Sequence, residues 1–152
     1  QGRLRDLGTL GGKNSVALGM NSRGEVVGSS EAADGEAHAF VCNAQGKMLD
    51  LGLPPGCNSS DARGIDERGR IAGNGVDKRG IGHPVVFLRV GNKGAVQILN
   101  LPTVDSAKRS YAGAHVSAIA PDGRMIGWGV PNKSNKTIKG GVVRCLLWTP
   151  TT

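Results

Sequence analysis

The nine residues Met20-Asn-Ser-Arg-Gly-Glu-Val-Val-Gly28 decide the fold, because their pattern returns twice along the chain. The later copies are Ile65-Asp-Glu-Arg-Gly-Arg-Ile-Ala-Gly73 and Ile119-Ala-Pro-Asp-Gly-Arg-Met-Ile-Gly127. Each copy sets a glycine that tolerates positive φ between two short strands, which is typical of a β-hairpin. No helical period follows these turns, as a phosphate-cradling loop would require. The pattern therefore predicts one structural unit made three times.

Further strands follow each hairpin. The third strands read His38–Cys42, His83–Phe87 and Arg144–Trp148, and the fourth read Met48–Leu51 and Ile98–Leu101. The third unit lacks a fourth strand, and Leu4–Leu7 at the start of the chain matches one, with Asp6 in the position of Asp50 and Asn100. Pairing of this first strand with the last unit would close a ring and protect strand edges.

The predicted fold is all-β, with three four-stranded antiparallel repeat sheets closed by pairing of the N-terminal strand with the C-terminal repeat. The sheets resemble propeller blades or the sides of a three-sheet prism, since a repeat of 40 to 45 residues with four strands is typical of a blade. Propellers usually have four to eight blades, so a six-bladed ring made by two chains is an alternative, ahead of a piece of a longer array.

The 152 residues favour a single repeat domain. Within it we expect a fourth-type strand at 3–8, repeat one at 15–53, repeat two at 60–102 and repeat three at 114–149. Twenty-five glycines and a 3% aromatic share agree with many short strands and tight turns.

The pattern from Asp6 to Phe40, DLGTLGG followed by A.G.N..G.VVG.S and G..HAF, resembles the HAF repeat family of extracellular bacterial proteins. The match is specific in the first repeat, partial in the second and faint in the third, where Arg144-Cys-Leu146 replaces His-Ala-Phe. The resemblance implies a repeat β fold and a periplasmic or secreted location in a bacterium. It implies no enzymatic activity and carries over no catalytic residue.

A formal charge of +7 attracts nucleic acid, anionic lipid, anionic glycan and acidic proteins alike. The aromatic residues are few and carry no stacking motif, which disfavours nucleic acid. No apolar run approaches the length of a membrane span. A protein partner with an acidic cleft, or an anionic glycan, remains as the predicted ligand.

The candidate binding site lies on the loops of the third unit. The connections 102–115 and 128–143 are the longest, and both should emerge from the same face, where added length usually carries binding residues. The corresponding loop of the first unit carries Glu31, Asp34 and Glu36, so this face should change from acidic to basic. The predicted partner-binding residues are Lys108, Arg109, Tyr111, His115, Trp128, Lys133, Lys136 and Lys139.

Chemical constellations are weak in this sequence. His38 and His83 share one repeat position, which favours a structural hydrogen bond to a neighbouring backbone group over a metal site. Cys145 and His115 match no nucleophile signature, and three cysteines allow at most one internal disulfide. We therefore predict no catalytic residues, no metal and no cofactor.

Two non-catalytic functions follow from these observations. The first is an extracytoplasmic protein-binding module, such as an immunity or inhibitor protein whose long basic loops block a secreted toxin or hydrolase. The alternative is a lectin-like module that binds glycan or cell wall, although the aromatic residues do not recur at matching repeat positions, as repeated sugar sites would require. A homodimer that completes a six-bladed ring is a further expected partner arrangement.

Overall fold

The computed structural model describes residues 2–90, 95–132 and 142–150 and contains eleven strands in those ranges. The strands are β1 (Gly11–Met20), β2 (Val26–Ala32), β3 (Ala37–Cys42), β4 (Met48–Gly52), β5 (Cys57–Ile65), β6 (Ile71–Asp77), β7 (Gly82–Val90), β8 (Ala95–Asn100), β9 (Tyr111–Ile119), β10 (Met125–Pro131) and β11 (Arg144–Trp148). The predicted all-β class is confirmed, and no helix occurs in the described ranges.

The strands form three antiparallel meanders, one for each sequence unit. The first sheet is β1-β2-β3-β4, the second is β5-β6-β7-β8 and the third is β9-β10-β11. The third sheet thus has three strands where four were predicted. Residues 2–9 form no strand and do not pair with the third sheet, so the predicted closure by the N-terminal strand is not seen.

The repeated hairpin turns have the predicted backbone. Gly24, Gly69 and Gly123 adopt φ values of 74°, 84° and 88°. In all three turns, the amide of the glycine donates to the carbonyl three residues earlier, at Asn21, Asp66 and Ala120. Only a residue without Cβ adopts this left-handed conformation at little cost, which explains the recurrence of the turn glycine.

A second recurring glycine closes each hairpin for a different reason, the close approach of a neighbouring strand. These glycines are Gly28, Gly73 and Gly127, and a Cβ there would collide with the backbone carbonyls of Val16, Asp61 and His115 respectively. The sequence shows the recurrence, whereas only the packed sheet shows what it avoids.

The sheets pack face to face in chain order, the second sheet lying between the first and the third. Between the first and second sheets, the buried core includes Val27, Val41, Ile71 and Phe87. Between the second and third, a smaller core contains Ala72, Val86, Ala114, Val116, Met125 and Trp148. The second sheet is therefore covered on both faces.

Candidate functional site

The connection at residues 102–110 lies beside Pro131 and Asn132, at the start of the second long connection, at one end of the third sheet. We call residues 102–110 and 131–132 the loop end. The Asn132 amide donates to the Ser110 carbonyl at 2.9 Å, and the Tyr111 amide donates to the Thr103 carbonyl at 2.9 Å. Pro131 also lies opposite Tyr111 in the β9–β10 register. The loop end is therefore anchored to the sheet by backbone contacts.

Within the loop end, Asp105 organises a tight turn. One carboxylate oxygen accepts from the amides of Ala107 and Arg109, and the other accepts from Arg109 Nε at 2.7 Å and from the Tyr111 hydroxyl at 3.2 Å. These contacts, led by the Arg109 amide, lower the pKa of Asp105. Burial, followed by the Asp105 hydrogen bond, raises the pKa of Tyr111. The ionised Asp105 carboxylate thus stabilises the turn.

This arrangement divides the predicted loop residues into two groups. Arg109 and Tyr111 use their polar groups on Asp105, and Tyr111 is buried. Lys108 is exposed at the tip of the turn in a left-handed conformation with φ of 59°. Lys133, Lys136 and Lys139 lie outside the described residues.

His115 and Trp128 form a stacked pair on neighbouring strands, with ring centroids 4.4 Å apart and planes inclined by 22°. Trp128 is exposed, and the His115 ring lies over Gly82 of the second sheet, where a Cβ would collide with it. Burial lowers the pKa of His115, which favours the neutral imidazole at neutral pH. The pair presents an aromatic surface and no cation.

Cys145 and His115 do not form a nucleophile–base pair in this geometry. Both residues lie opposite Trp128, one on β11 and one on β9, so a whole strand separates them. Two strand spacings put their backbones roughly 9–10 Å apart, beyond the reach of a hydrogen bond between nucleophile and base. Across the described ranges, no group of three or more acidic, histidine or cysteine side chains could hold a metal ion. The absence of enzymatic activity stays a prediction.

The repeated histidines have carboxylate partners, contrary to the expected backbone partners. His38 Nδ1 lies 2.8 Å from Asp50 Oδ2, and His83 Nε2 lies 3.3 Å from Asp77 Oδ2. The sequence showed that a polar residue recurs at the position of Asp50. Only the register of β3 and β4 shows that Asp50 contacts His38. The three cysteines are free thiols: Cys42 is buried, Cys57 partly buried and Cys145 exposed.

An apolar cleft beside the third sheet is the feature that sequence reasoning missed. Its volume is about 750 Å³. The lining includes Leu99 of β8, Leu101 just after it, Tyr111 of β9, and Leu146 and Trp148 of β11. Trp148 is fixed there because its Nε1 donates to the Pro102 carbonyl at 2.9 Å. The missing fourth strand of the third unit was the only sequence signal for this cleft.

The first sheet carries acidic loop residues at the end that corresponds to the loop end of the third. Glu31 accepts from the Lys13 amide at 3.1 Å and from Asn14 Nδ2 at 3.2 Å, and Glu36 is exposed. Lys108 and Arg144 are exposed on the third sheet and its loop. The described residues therefore carry opposite charge at the two ends of the row of sheets.

Comparison with family models, curated proteins and solved structures finds no match for this chain. The part of the chain that the structure describes contains no helix with the length and hydropathy needed to cross a membrane.

Proposed function

We propose that this protein is a non-catalytic, extracytoplasmic protein-binding module that engages an acidic partner through the loop end of its third sheet. The observation that supports the proposal most directly is the anchored contact between the connection at 102–110 and the start of the connection at 128–143, through the Asn132–Ser110 hydrogen bond. A rigid sheet that presents long, cationic loops is a common form of binding surface.

The chemistry of the loop end suits binding and gives no support to catalysis. Asp105 is saturated by four donors, so it has no free oxygen positioned to act as a general base. Lys108 projects from a turn whose backbone is fixed on both sides, which limits the entropy lost when a partner binds. The neighbouring Lys133, Lys136 and Lys139 add positive charge in the sequence.

An immunity or inhibitor protein that blocks a secreted toxin or hydrolase is the form of this function that we favour. The resemblance of the first unit to the HAF repeat supports export to the periplasm or the medium. A lectin-like role finds less support, since His115 and Trp128 form a single stacked pair and the corresponding positions of the second sheet are Asp61 and Asn74.

The test is an affinity capture from the envelope and secreted fractions of the source organism, washed at low and then high salt. We expect the wild-type chain to retain one protein. Retention should weaken in a variant that combines Lys108→Gly with alanine at positions 133, 136 and 139. Glycine at 108 suits the left-handed backbone, so the loop keeps its shape while it loses the charge.

The matched control is Lys78→Gly in the β6–β7 turn of the second sheet, another exposed lysine in a tight turn. This control should bind as the wild type does. Retention of the partner by the four-residue variant, or capture of polysaccharide alone with release by salt, would contradict the proposal.

A further inference from the structure

The N-terminal segment has the local structure of a connection between two sheets. The Asp6 carboxylate accepts from the Gly8 amide at 2.9 Å, and the Asp50 carboxylate accepts from the Gly52 amide at 2.7 Å. Gly8 and Gly52 adopt nearly the same positive φ, 80° and 75°. Asp50 and Gly52 belong to the fourth strand of the first sheet. Asp6 and Gly8 therefore have the local conformation of the end of a fourth strand, although they pair with no sheet in the described residues.

The equivalence extends to the strand that follows. The Ser15 hydroxyl donates to the Gly8 carbonyl at 2.7 Å, and the Ser60 hydroxyl donates to the Gly52 carbonyl at 2.8 Å. Ser60 Oγ additionally accepts from the amide of Ala39, in the third strand of the preceding sheet. Ser15 holds the position of Ser60, but within the described residues no third strand of another sheet donates to its hydroxyl.

The third sheet has the opposite deficiency, since β11 is unpaired on one side within the described residues. The register of the other sheets shows what a fourth strand would place there. The closing hairpin glycine pairs with Val85 in the second sheet and with Leu146 in the third, so these two residues are equivalent. In the second sheet, Val85 pairs in turn with Asn100, and Phe87 pairs with Ile98. By this correspondence Asp6 would lie opposite Leu146.

The same register places Leu4 opposite Trp148. Leu4 is fully exposed in the chain, which is unusual for a leucine with a strand-like sequence around it. Trp148, Leu146 and Leu99 line the apolar cleft beside β11. A strand docked on β11 would therefore move Leu4 from water into this cleft, which is a favourable transfer.

The outer face of the third sheet is apolar at the positions that the inner sheets bury. Leu147 corresponds to Val41 of the first sheet, and the exposed fraction is 60% for Leu147 against 2% for Val41. Ile126 corresponds to Val27 and is likewise more than half exposed, whereas Val27 is fully buried. The third sheet thus carries a sheet-packing face without a sheet on it.

The first sheet exposes the complementary position. Met20 and Ile65 both end the first strand of their sheets, pairing with Val26 and Ile71 across the hairpin. Met20 is 67% exposed, whereas Ile65 is 5% exposed because it packs against the preceding sheet. The first sheet therefore exposes an apolar position at which the second sheet packs against the sheet that precedes it.

Charge supports the same register. In the first sheet, His38 at the start of β3 contacts Asp50 at 2.8 Å. In a third sheet completed by the N-terminal segment, Arg144 takes the position of His38 and Asp6 takes that of Asp50. An arginine and an aspartate would then meet where the first sheet has a histidine and an aspartate, which gives a charge-assisted pair at the docking site.

We propose that two copies of this chain join head to tail, each donating residues 3–8 as the fourth strand of the other's third sheet. The third sheet of one copy then packs on the first sheet of the other, and twofold symmetry closes six sheets into a ring. The proposed contact involves the β11 edge, the apolar cleft and the sheet faces, and it does not involve Lys108.

The donor belongs to a second copy because its own first sheet holds the segment in place. Arg5 donates to the carbonyls of Ala44 and Gln45, in the β3–β4 turn of the first sheet. The sheets of one chain pack in a row, with the second sheet between the first and the third. Donation to a second copy, whose third sheet would pack on this first sheet, is compatible with these contacts.

The first experiment is sedimentation velocity of the 152-residue chain over a range of concentrations. We expect a single dimer that dissociates on dilution, and Leu4→Asp should raise its dissociation constant at least about 100-fold, because a carboxylate would enter an apolar cleft without a partner. Val90→Asp, which replaces another exposed apolar side chain, should dimerise as the wild type does. Circular dichroism at concentrations where all three proteins are monomeric should show the same strand content.

Three results of this experiment would overturn the proposal. They are a monomer at every concentration, a Leu4→Asp variant that dimerises normally, and a series of open assemblies larger than a dimer.

A cysteine trap tests the register even if Leu4→Asp disturbs folding. In a background in which Cys42, Cys57 and Cys145 are replaced by serine or alanine, Arg5→Cys with Leu147→Cys should yield a disulfide-linked dimer on mild oxidation, because Val41 and Leu49 are paired at this position in the first sheet. The offset pair Arg3→Cys with Leu147→Cys should link far less. Equal linking of both pairs, or linking within one chain, would overturn the register.

Discussion

The second and third sheets are built from the same repeat and differ in what covers them. The second sheet packs on both faces, and its Val85 and Phe87 are fully buried. The third packs on one face only, and Ile126 and Leu147 on its other face are exposed. The difference shows that the repeat pattern specifies a sheet with two packing faces, while position along the chain decides whether both faces are filled.

At one repeat position, the side chain is polar and faces the next sheet in the first two sheets, and it is aromatic in the third. Ser29, Asn74 and Trp128 hold equivalent places in the three sheets, each pairing beside the hairpin glycine. Ser29 and Asn74 make polar contacts to the backbone of the next sheet, at Ser60 and Val116. Trp128 instead stacks on His115 of its own sheet. In the third sheet, an aromatic surface thus takes the place of the polar link between sheets.

The largest effect should come from the core between the first and second sheets. Phe87→Ala removes a fully buried ring and should lower the free energy of unfolding by about 3–5 kcal/mol. Leu147→Ala, in dilute monomeric protein, should change it by less than about 0.5 kcal/mol, because that side chain is exposed. Urea denaturation followed by circular dichroism measures both. Equal losses would show that the third sheet is covered within the monomer.

The next effect tests the polar link between the second and third sheets. Asn74 accepts from the Val116 amide at 2.7 Å and donates to its carbonyl at 3.1 Å. Asn74→Ala leaves two buried backbone groups without partners and should cost about 2–4 kcal/mol. Ser29→Ala, which removes the single contact to Ser60, should cost about 1 kcal/mol. The order of the two losses in urea denaturation checks the comparison, and a reversed order would contradict it.

A smaller, pH-dependent effect is expected where the first and second sheets meet at their hairpin turns. Burial would raise the pKa of Glu25, but hydrogen bonds from Arg89, Arg23 and Asn21 outweigh it and hold the pKa at about 2, below the usual 4.5. A lowered folded-state pKa stabilises the fold above pH 4.5, and this contribution is lost as the pH falls toward 2. Because solvent screens part of the interaction, acid should remove only about 2 kcal/mol.

Glu25→Gln should remove most of this dependence between pH 5 and pH 2, as read from urea midpoints. Glu36→Gln, at an exposed site on the first sheet, is the matched control and should keep the wild-type dependence. An unchanged acid response in Glu25→Gln would assign the effect to other carboxylates.

The smallest effect should come from the hairpin turn of the third sheet. Asp122 pairs with Arg124 at 2.7 Å, and both side chains are more than half exposed. Solvent screens such pairs, so Asp122→Ala should cost less than about 1 kcal/mol. A loss above about 2 kcal/mol in thermal or urea unfolding would contradict this expectation.

Much of the fold was accessible from sequence because it depends on local chemistry. The turn glycines required positive φ, and Gly24, Gly69 and Gly123 have it. The position of β11 was readable from its apolar residues, although its free edge was not, because edge pairing depends on which strands meet in space. The N-terminal segment has the sequence of a fourth strand, but within the described residues it pairs with none of the three sheets.

The candidate site was less accessible. Residues in the third-unit loops could be listed, and the structure brings two of them, Arg109 and Tyr111, together on Asp105. Neither this pairing nor the His115–Trp128 stack follows from sequence spacing, since each depends on a turn or a register. The apolar cleft depends on two sheets and a connection, so no single stretch of sequence contains it.

The sequence by itself determined the repeat, the all-β class and the turn positions, since these follow from side-chain alternation and the backbone freedom of glycine. The tertiary structure decided which faces are buried, which edge is open and which polar groups are paired. Those properties depend on the order in which whole sheets stack, and identical local patterns then have different surroundings, as Val41 and Leu147 show.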